Sequence, residues 1–261
     1  MKKCVALLET LREDGRSPAL WLRDDDLCTD SPNLRLMFKF AEWGIPLAFA
    51  VVPYRCKFSD ADLALIKAQP KNIFFCVHGH SHANRSKNGK PCEYPEDFST
   101  QRSEKELRYG FEKIRSYFPD RFIPMFVPPW NFLHENHVPA LESSGFQYIS
   151  GHKGMPVGGE GGSFQTISVD FDILNYGNDL WYPLKPEDQF DQELYEAIER
   201  WVDEGRAEDP IGILSHHSTM RASDIGKYRK LLSKIVGLMR AFEISEVKKA
   251  VAESCRDEKT T

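Results

Sequence analysis

The chain has 261 residues, 41% of them hydrophobic, and a formal net charge of -5 at pH 7. That length suffices for one large domain or two small ones with a sizeable core, and an acidic balance without a basic stripe argues against a nucleic-acid partner. No apolar run approaches the about 18 residues of a membrane-spanning helix, so no membrane span is expected.

In chain order, "MKKCVALLETLREDGR" reads as an amphipathic first helix. Its apolar stretch, Cys4 to Leu8, is too short for a signal-peptide core, and Glu9 and Arg12 follow at once. Strands are expected at 19–23, 46–52, 72–77, 122–127, 146–150, 164–169 and 211–215, and weakly at 241–245. Most are nearly continuous apolar runs, as for strands covered on both faces. Helical patterns lie between them at 31–44, 59–70, 103–118, 137–145, 186–205, 227–240 and 245–254. Ser31 caps the first, Pro32 opens it and Gly44 stops it, while Ser103 and Glu106 form a capping box at the start of the third.

Strand and helix alternate over the whole length without a break in composition. That predicts α/β with a mostly parallel sheet, a barrel in a single domain spanning 1–261. An open doubly wound sheet is the rival, but no strand is followed by the G-x-G-x-x-G of its dinucleotide-binding version. Two segments are irregular: the polar stretch 83–102 and the glycine-rich 151–163. Long loops of this kind often line a site. The six cysteines form no C-x-x-C pair, and without a signal sequence they read as reduced thiols in a cytoplasmic protein.

In a parallel α/β sheet, function gathers at the C-terminal ends of the strands. There the sequence places "RDDD" (Arg23 to Asp26), "HGHSH" (His78 to His82), "PPWN" (Pro128 to Asn131), "DFD" (Asp170 to Asp172) and "HHS" (His216 to Ser218). Five of the eight histidines fall in two of these clusters. An aspartate run is more often a solvated turn, but this one ends an apolar strand, where adjacent carboxylates need a cation. Arg23 and a divalent metal would supply it. If the chain turns helical after the third strand, His78 and His82 share a face and His80 points elsewhere; if it stays extended, all three share a face. Two His and one Asp leave open positions on an ion, as a catalytic site requires. His134 and His137 read as surface residues, and His152 receives no role.

These motifs, in this order, resemble those of the polysaccharide deacetylase (NodB-homology, carbohydrate esterase family 4-like) family. The resemblance spans roughly residues 18–218 and is strongest to its intracellular-type branch, with "RDDD", "HGHSHAN" and "VPPWN". It implies a distorted (β/α)7–8 barrel that removes an N-acetyl group from an amino sugar with one divalent ion, zinc first and cobalt, nickel or manganese as alternatives. His78 and His82 would be metal ligands and His216 the general acid. The family's acid pair could be Asp24/Asp25 or Asp25/Asp26. The family's third motif normally opens with an arginine that pairs with the base, and here that position is Val127. Arg23 and Asp25, at i and i+2 on a strand, share a face, so Arg23 can replace that charge. This favours Asp25 as base and Asp26 as ligand. Asp170 is the expected partner of His216, with Asp172 the rival. Pro129, Trp130 and Asn131 are expected to contact substrate, with Trp130 or Trp181 as the wall for the acetyl methyl. A small soluble N-acetylated sugar, a nucleotide-sugar or a lipid-linked precursor suits a cytoplasmic enzyme. Oligomeric state is not legible. Two other readings stand beside this one: a metal-dependent amidase acting on a non-sugar amide, and a non-catalytic carbohydrate-binding relative of the fold.

Overall fold

The computed structural model describes residues 1–87, 89–152, 164–177, 181–205 and 209–243. Nine strands form one sheet: β1 (Ala19–Leu27), β2 (Leu47–Val51), β3 (Ile73–His78), β4 (Phe122–Val127), β5 (Tyr148–Ile149), β6 (Gln165–Thr166), β7 (Phe171–Asp172), β8 (Ile211–Ser215) and β9 (Arg240–Ala241). Their order is β6-β5-β4-β3-β2-β1-β8-β7, all neighbours parallel, and β9 adds to the start of β1. The two ends of that order belong to one stretch of chain. Residues 165–166 pair with β5, Asp170 N–H then bonds Gly212 O (2.8 Å), and 171–172 pair with β8. The expected strand 164–169 is therefore shortened to β6, and the stretch running on into β7 closes the curled sheet into a distorted barrel.

Side-chain parity divides the core into two layers. Trp21, Ala48, Ala50, Cys76, Met125, Val127, Tyr148 and Leu214 fill the concave interior. Leu20, Leu22, Phe49, Val51, Phe75 and Val77 alternate with them and face the helices. The helices are α1 (Lys2–Glu13), α2 (Pro32–Phe38), α3 (Asp60–Lys67), α4 (Thr100–Tyr117), α5 (Val138–Ser143), α6 (Glu187–Asp203) and α7 (Ala222–Leu232). Among the described residues no helix is long and apolar enough to cross a membrane. The five described cysteines are free.

Two local expectations are corrected. The helix expected from Ser103 begins a turn earlier at Thr100: Ser99 caps it by accepting Arg102 N–H (3.3 Å), and Ser103 turns its hydroxyl back to Thr100 O (2.8 Å). Glu106 instead holds Arg85 and Arg102. His137 is fully buried, not on the surface, with Nδ1 3.0 Å from Ser103 Oγ and Nε2 2.9 Å from Pro95 O. It ties α4 to the 83–102 segment. The expected helix 245–254 and most of the glycine-rich 151–163 lie outside the described residues.

The closure depends on a close approach. Trp21 Nε1 donates to Ser168 O (3.3 Å), and a Cβ on Gly212 would sit 2.5 Å from that same oxygen. Gly212→Ala should therefore push the closing segment outward and destabilise the protein by about 1–3 kcal/mol, read as a lowered thermal midpoint. A second prediction concerns acid. Burial, and then the nearby His134, hold the His137 imidazole below its ordinary value against the opposing pull of Pro95 O. The unfolded chain then takes the proton first, so this contribution is intact well above about pH 6.5 and is lost as pH falls through it. The slope of thermal midpoint against pH below neutrality should be shallower in His137→Gln.

Candidate active site

The three aspartates that end β1 lie side by side in sequence but separate in space. Parity sends Asp24 to the helix side with Leu20 and Leu22, where it is completely buried. It accepts from Ser215 Oγ (2.7 Å) and His217 N–H (3.0 Å) and is in short contact with His217 Nδ1. Arg23 and Asp25 face the barrel interior with Trp21. Arg23 is 0% exposed and holds Asp25 with two parallel bonds, Nε to Oδ1 (2.9 Å) and Nη2 to Oδ2 (3.0 Å). Its remaining donors go to Ser150 Oγ (2.7 Å) and Asn131 Oδ1 (3.2 Å). The register against β2 then slips between Asp24 and Leu27, and Asp26 adopts φ +68°. This bulge turns the third carboxylate away from the second; bulges commonly re-aim a side chain in this way.

Asp26 Oδ1 lies 3.4 Å from His78 Nε2 and 3.3 Å from His82 Nε2. Two ligands at about 2.0–2.1 Å from one ion, at a tetrahedral angle, are separated by about 3.3 Å. The donor set and its spacing therefore fit a divalent ion. His78 Nδ1 is 2.9 Å from Val127 O, a bond that fixes a proton on Nδ1 and turns Nε2 toward Asp26. Burial alone would raise the Asp26 carboxyl, but hydrogen bonding to His78 and the charges of His78, His216 and His82 hold it well below the usual carboxylate range. The turn from His78 to His82 is neither helix nor strand. Gly79 and His82 both have positive φ (+58° and +53°). His80 leaves the site and lies between Tyr54 and Tyr109, at ring distances of 5.2 and 5.5 Å.

Of the expected substrate contacts, Trp130 is the exposed one. It sits at φ +56° with its ring 4.4 Å from that of His82. Pro129 is buried beneath the histidine turn, and Asn131 commits its Oδ1 to Arg23, so both shape the site from below. The partner expected for His216 is also corrected. Asp170 accepts Gly212 N–H (2.9 Å) at the barrel seam, and the carboxylate beside His216 is Asp172, 3.6 Å from Nδ1. A residue the sequence did not reveal lies between them. Tyr176 Oη is 3.0 Å from His216 Nδ1 and donates a short hydrogen bond to Asp172 Oδ2. Burial, then Asp172, push the Tyr176 phenol far up, so it stays protonated.

His152 likewise sits near the site. Burial first, then the charge of Arg23, lower its imidazole, with Asp172 and Asp25 acting in the opposite sense. Its signal was its place two residues after Ser150, on the same face as Arg23's partner. Burial and then Asp26 push the thiol of Cys28, two residues past Asp26, up to about 11.

No protein-family model matches the sequence, and no curated protein matches it. Solved structures share the fold. A candidate polysaccharide deacetylase from Mycobacterium smegmatis aligns with a TM-score of 0.64 at 14% identity, over 92% of this chain and 92% of that one. The chitin deacetylase from Colletotrichum lindemuthianum aligns at 0.53 and 13%, over 89% and 88%. A family 4 acetyl xylan esterase from Clostridium thermocellum, solved with a cobalt ion, aligns at 0.51 and 15%, over 89% and 91%. At these identities the likeness is one of fold, the distorted barrel of the polysaccharide deacetylases.

The triad yields a direct prediction. Purified protein should bind about one equivalent of zinc or cobalt, whereas His78→Ala and Asp26→Asn should retain almost none after dialysis, measured by elemental analysis. Asp24→Asn should bind as wild type does if it stays folded, because that carboxylate faces away from the triad.

Proposed function

We propose that the protein is a metal-dependent deacetylase that hydrolyses the N-acetyl group of an amino sugar. The observation that carries this reading is a convergence at one sheet edge: the Asp26, His78 and His82 donors, the buried Asp25 carboxylate and the His216 imidazole. The charges of His78 and His216 both bear on Asp26, and those of Asp25 and Asp26 on Tyr176. A divalent ion held by Asp26, His78 and His82 would supply Lewis acidity, activating water and polarising an acyl carbonyl.

The chain's own groups provide the proton transfers. Asp25 takes the proton from the attacking water. Arg23 occupies one lone pair on each of its oxygens, and a carboxylate offers about four acceptor positions, so one oxygen can still accept. Arg23 also fixes the direction of that carboxylate. His216 Nε2 faces the leaving nitrogen and protonates it, while Nδ1 donates to Tyr176 Oη and Tyr176 in turn donates to Asp172. Asp172 is held by Leu174 N–H (2.9 Å). Trp130, poised over His82, walls the acyl methyl.

A sugar is favoured over a small non-sugar amide by the rim. Among the described residues, the exposed large hydrophobic ones are all aromatic: Tyr54, Tyr109, Trp130, Tyr176 and Trp181. Trp130 packs on His82 and Tyr176 on His216, at the edge that carries the triad, while Tyr54 and Tyr109 flank His80 beside it. Flat aromatic faces with a polar tip present a large contact area at a wet surface, which suits the apolar face of a sugar ring. A cytoplasmic location and a small soluble substrate complete the reading.

The test is acetate release from free N-acetylhexosamines, nucleotide-linked N-acetylhexosamines and short N-acetylated oligomers, beside N-acetyl amino acids. Turnover confined to the amino acids, or metal binding without turnover of any amide, would sink the sugar reading. Asp25→Asn should lose about 10²–10⁴-fold in kcat while keeping its metal. Full activity there, with loss in Asp24→Asn, would reverse the assignment of the base. Tyr176→Phe should lower kcat with KM little changed, and the loss should not grow when Asp172→Asn is added, because both act through His216.

A further inference from the structure

The turn that carries His82 is wrapped around a buried carboxylate from a distant part of the chain. Glu93 lies in the 83–102 segment and is 0% exposed. Its Oε2 accepts His80 N–H (2.9 Å), and its Oε1 accepts Ser81 N–H (2.7 Å), the Ser81 hydroxyl (2.8 Å) and Ala83 N–H (3.4 Å). Among the described residues, these neutral donors of one turn are its hydrogen-bond partners. Arg85, the nearby cation, reaches the main-chain oxygen of Glu93 (3.3 Å) and commits its guanidinium to Glu106. Gly79 has φ +58°, and a Cβ there would overlap Glu93 Oε2 and lie 2.5 Å from Pro129 Cγ.

Successive amides converge on one anion only when the backbone curls into a concave nest. The nest here spans residues 80 to 83, and inside it stands His82 at φ +53°, its Nε2 3.3 Å from Asp26 Oδ1. We propose that Glu93 is a positioning residue for the metal: its carboxylate is the template on which the 79–83 turn is folded, and it acts on the ion only through His82. The proposal rests on the metal-site reading above. The substitution Glu93→Gln would turn an NH2 group toward N–H donors and remove the charge that gathers them, freeing the turn to swing His82 away. The glycine at 79 and the glutamate at 93 are two halves of one device, since a side chain at 79 would evict the carboxylate.

The experiment titrates metal-free wild type, Glu93→Gln, His82→Ala and the double variant with Co2+, reading the visible ligand-field bands, with circular dichroism as the check on folding. Glu93→Gln should bind on the order of 10–100-fold more weakly with altered bands, and the double variant should bind no worse than His82→Ala alone. Wild-type affinity and bands in Glu93→Gln, or losses that multiply in the double variant, would overturn the proposal. If Glu93→Gln does not fold, Gly79→Ala carries the test, because its Cβ drives the carboxylate out; a folded Gly79→Ala with wild-type Co2+ affinity overturns the proposal equally. Absence of Co2+ binding by the wild type would instead sink the metal reading itself.

Discussion

Every part of this site answers to the cost of keeping charge in a dry sheet. Four consecutive ionisable side chains, Arg23 to Asp26, end the central strand, and the first three are buried. Buried charges survive only when paired with an opposite charge or gathered by several hydrogen bonds. Strand parity meets the requirement for two of the carboxylates by sending them to opposite faces. Asp24 goes outward to Ser215 and His217, and Asp25 goes inward to the Arg23 fork. Continued parity would put Asp26 on the same face as Asp24, beside a like charge. The bulge prevents this and delivers the third carboxylate to the imidazoles.

The same constraint explains the surroundings. Arg23 can be fully buried because each of its three nitrogens donates to a fixed acceptor: Asp25 on its own strand, and Ser150 and Asn131 from the ends of others. Those bonds link β1 to the ends of β4 and β5, so the base candidate is locked to the barrel frame. His78 is tied to the next strand through Val127 O. Glu93, buried without a cation, ties the metal turn to the 83–102 segment, which Arg85 pins to α4 through Glu106 and His137 pins through Ser103. The polar segment 83–102 is thus a strut under the site.

What the sequence revealed and what it hid follow from range. Continuous apolar runs taking turns with helical patterns were enough for a parallel barrel, and i, i+2 parity on one strand was enough to place Arg23 against Asp25, because both depend on backbone periodicity alone. The H-x-x-x-H spacing indicated that His78 and His82 act together, but not how: a helix or an extended strand was expected, and the observed turn depends on Glu93, eleven positions beyond His82. Asp170 and Asp172 are equivalent by parity, and the choice between them is made by Gly212, whose amide takes Asp170 at the seam. Tyr176 and Glu93 had no signature, since each acts through a partner distant in sequence. The Ser103 capping box failed because Ser99, a turn earlier, is an equally good cap.

Backbone strain gathers at the same place as the charges. Among the described residues, the non-glycine positions with positive φ are Asp26, His82, Trp130 and Asn131. Each such position costs on the order of 1–3 kcal/mol and persists only where its surroundings over-determine it. All four surround the candidate metal site. Two are its donors, one packs on a donor, and one anchors the arginine that holds the proposed base. The restraints on them are protein contacts from β1, β4 and the 83–102 strut. The donor geometry is therefore set by the folded chain, and stability spent at these four positions is what keeps three donor groups aimed at one point.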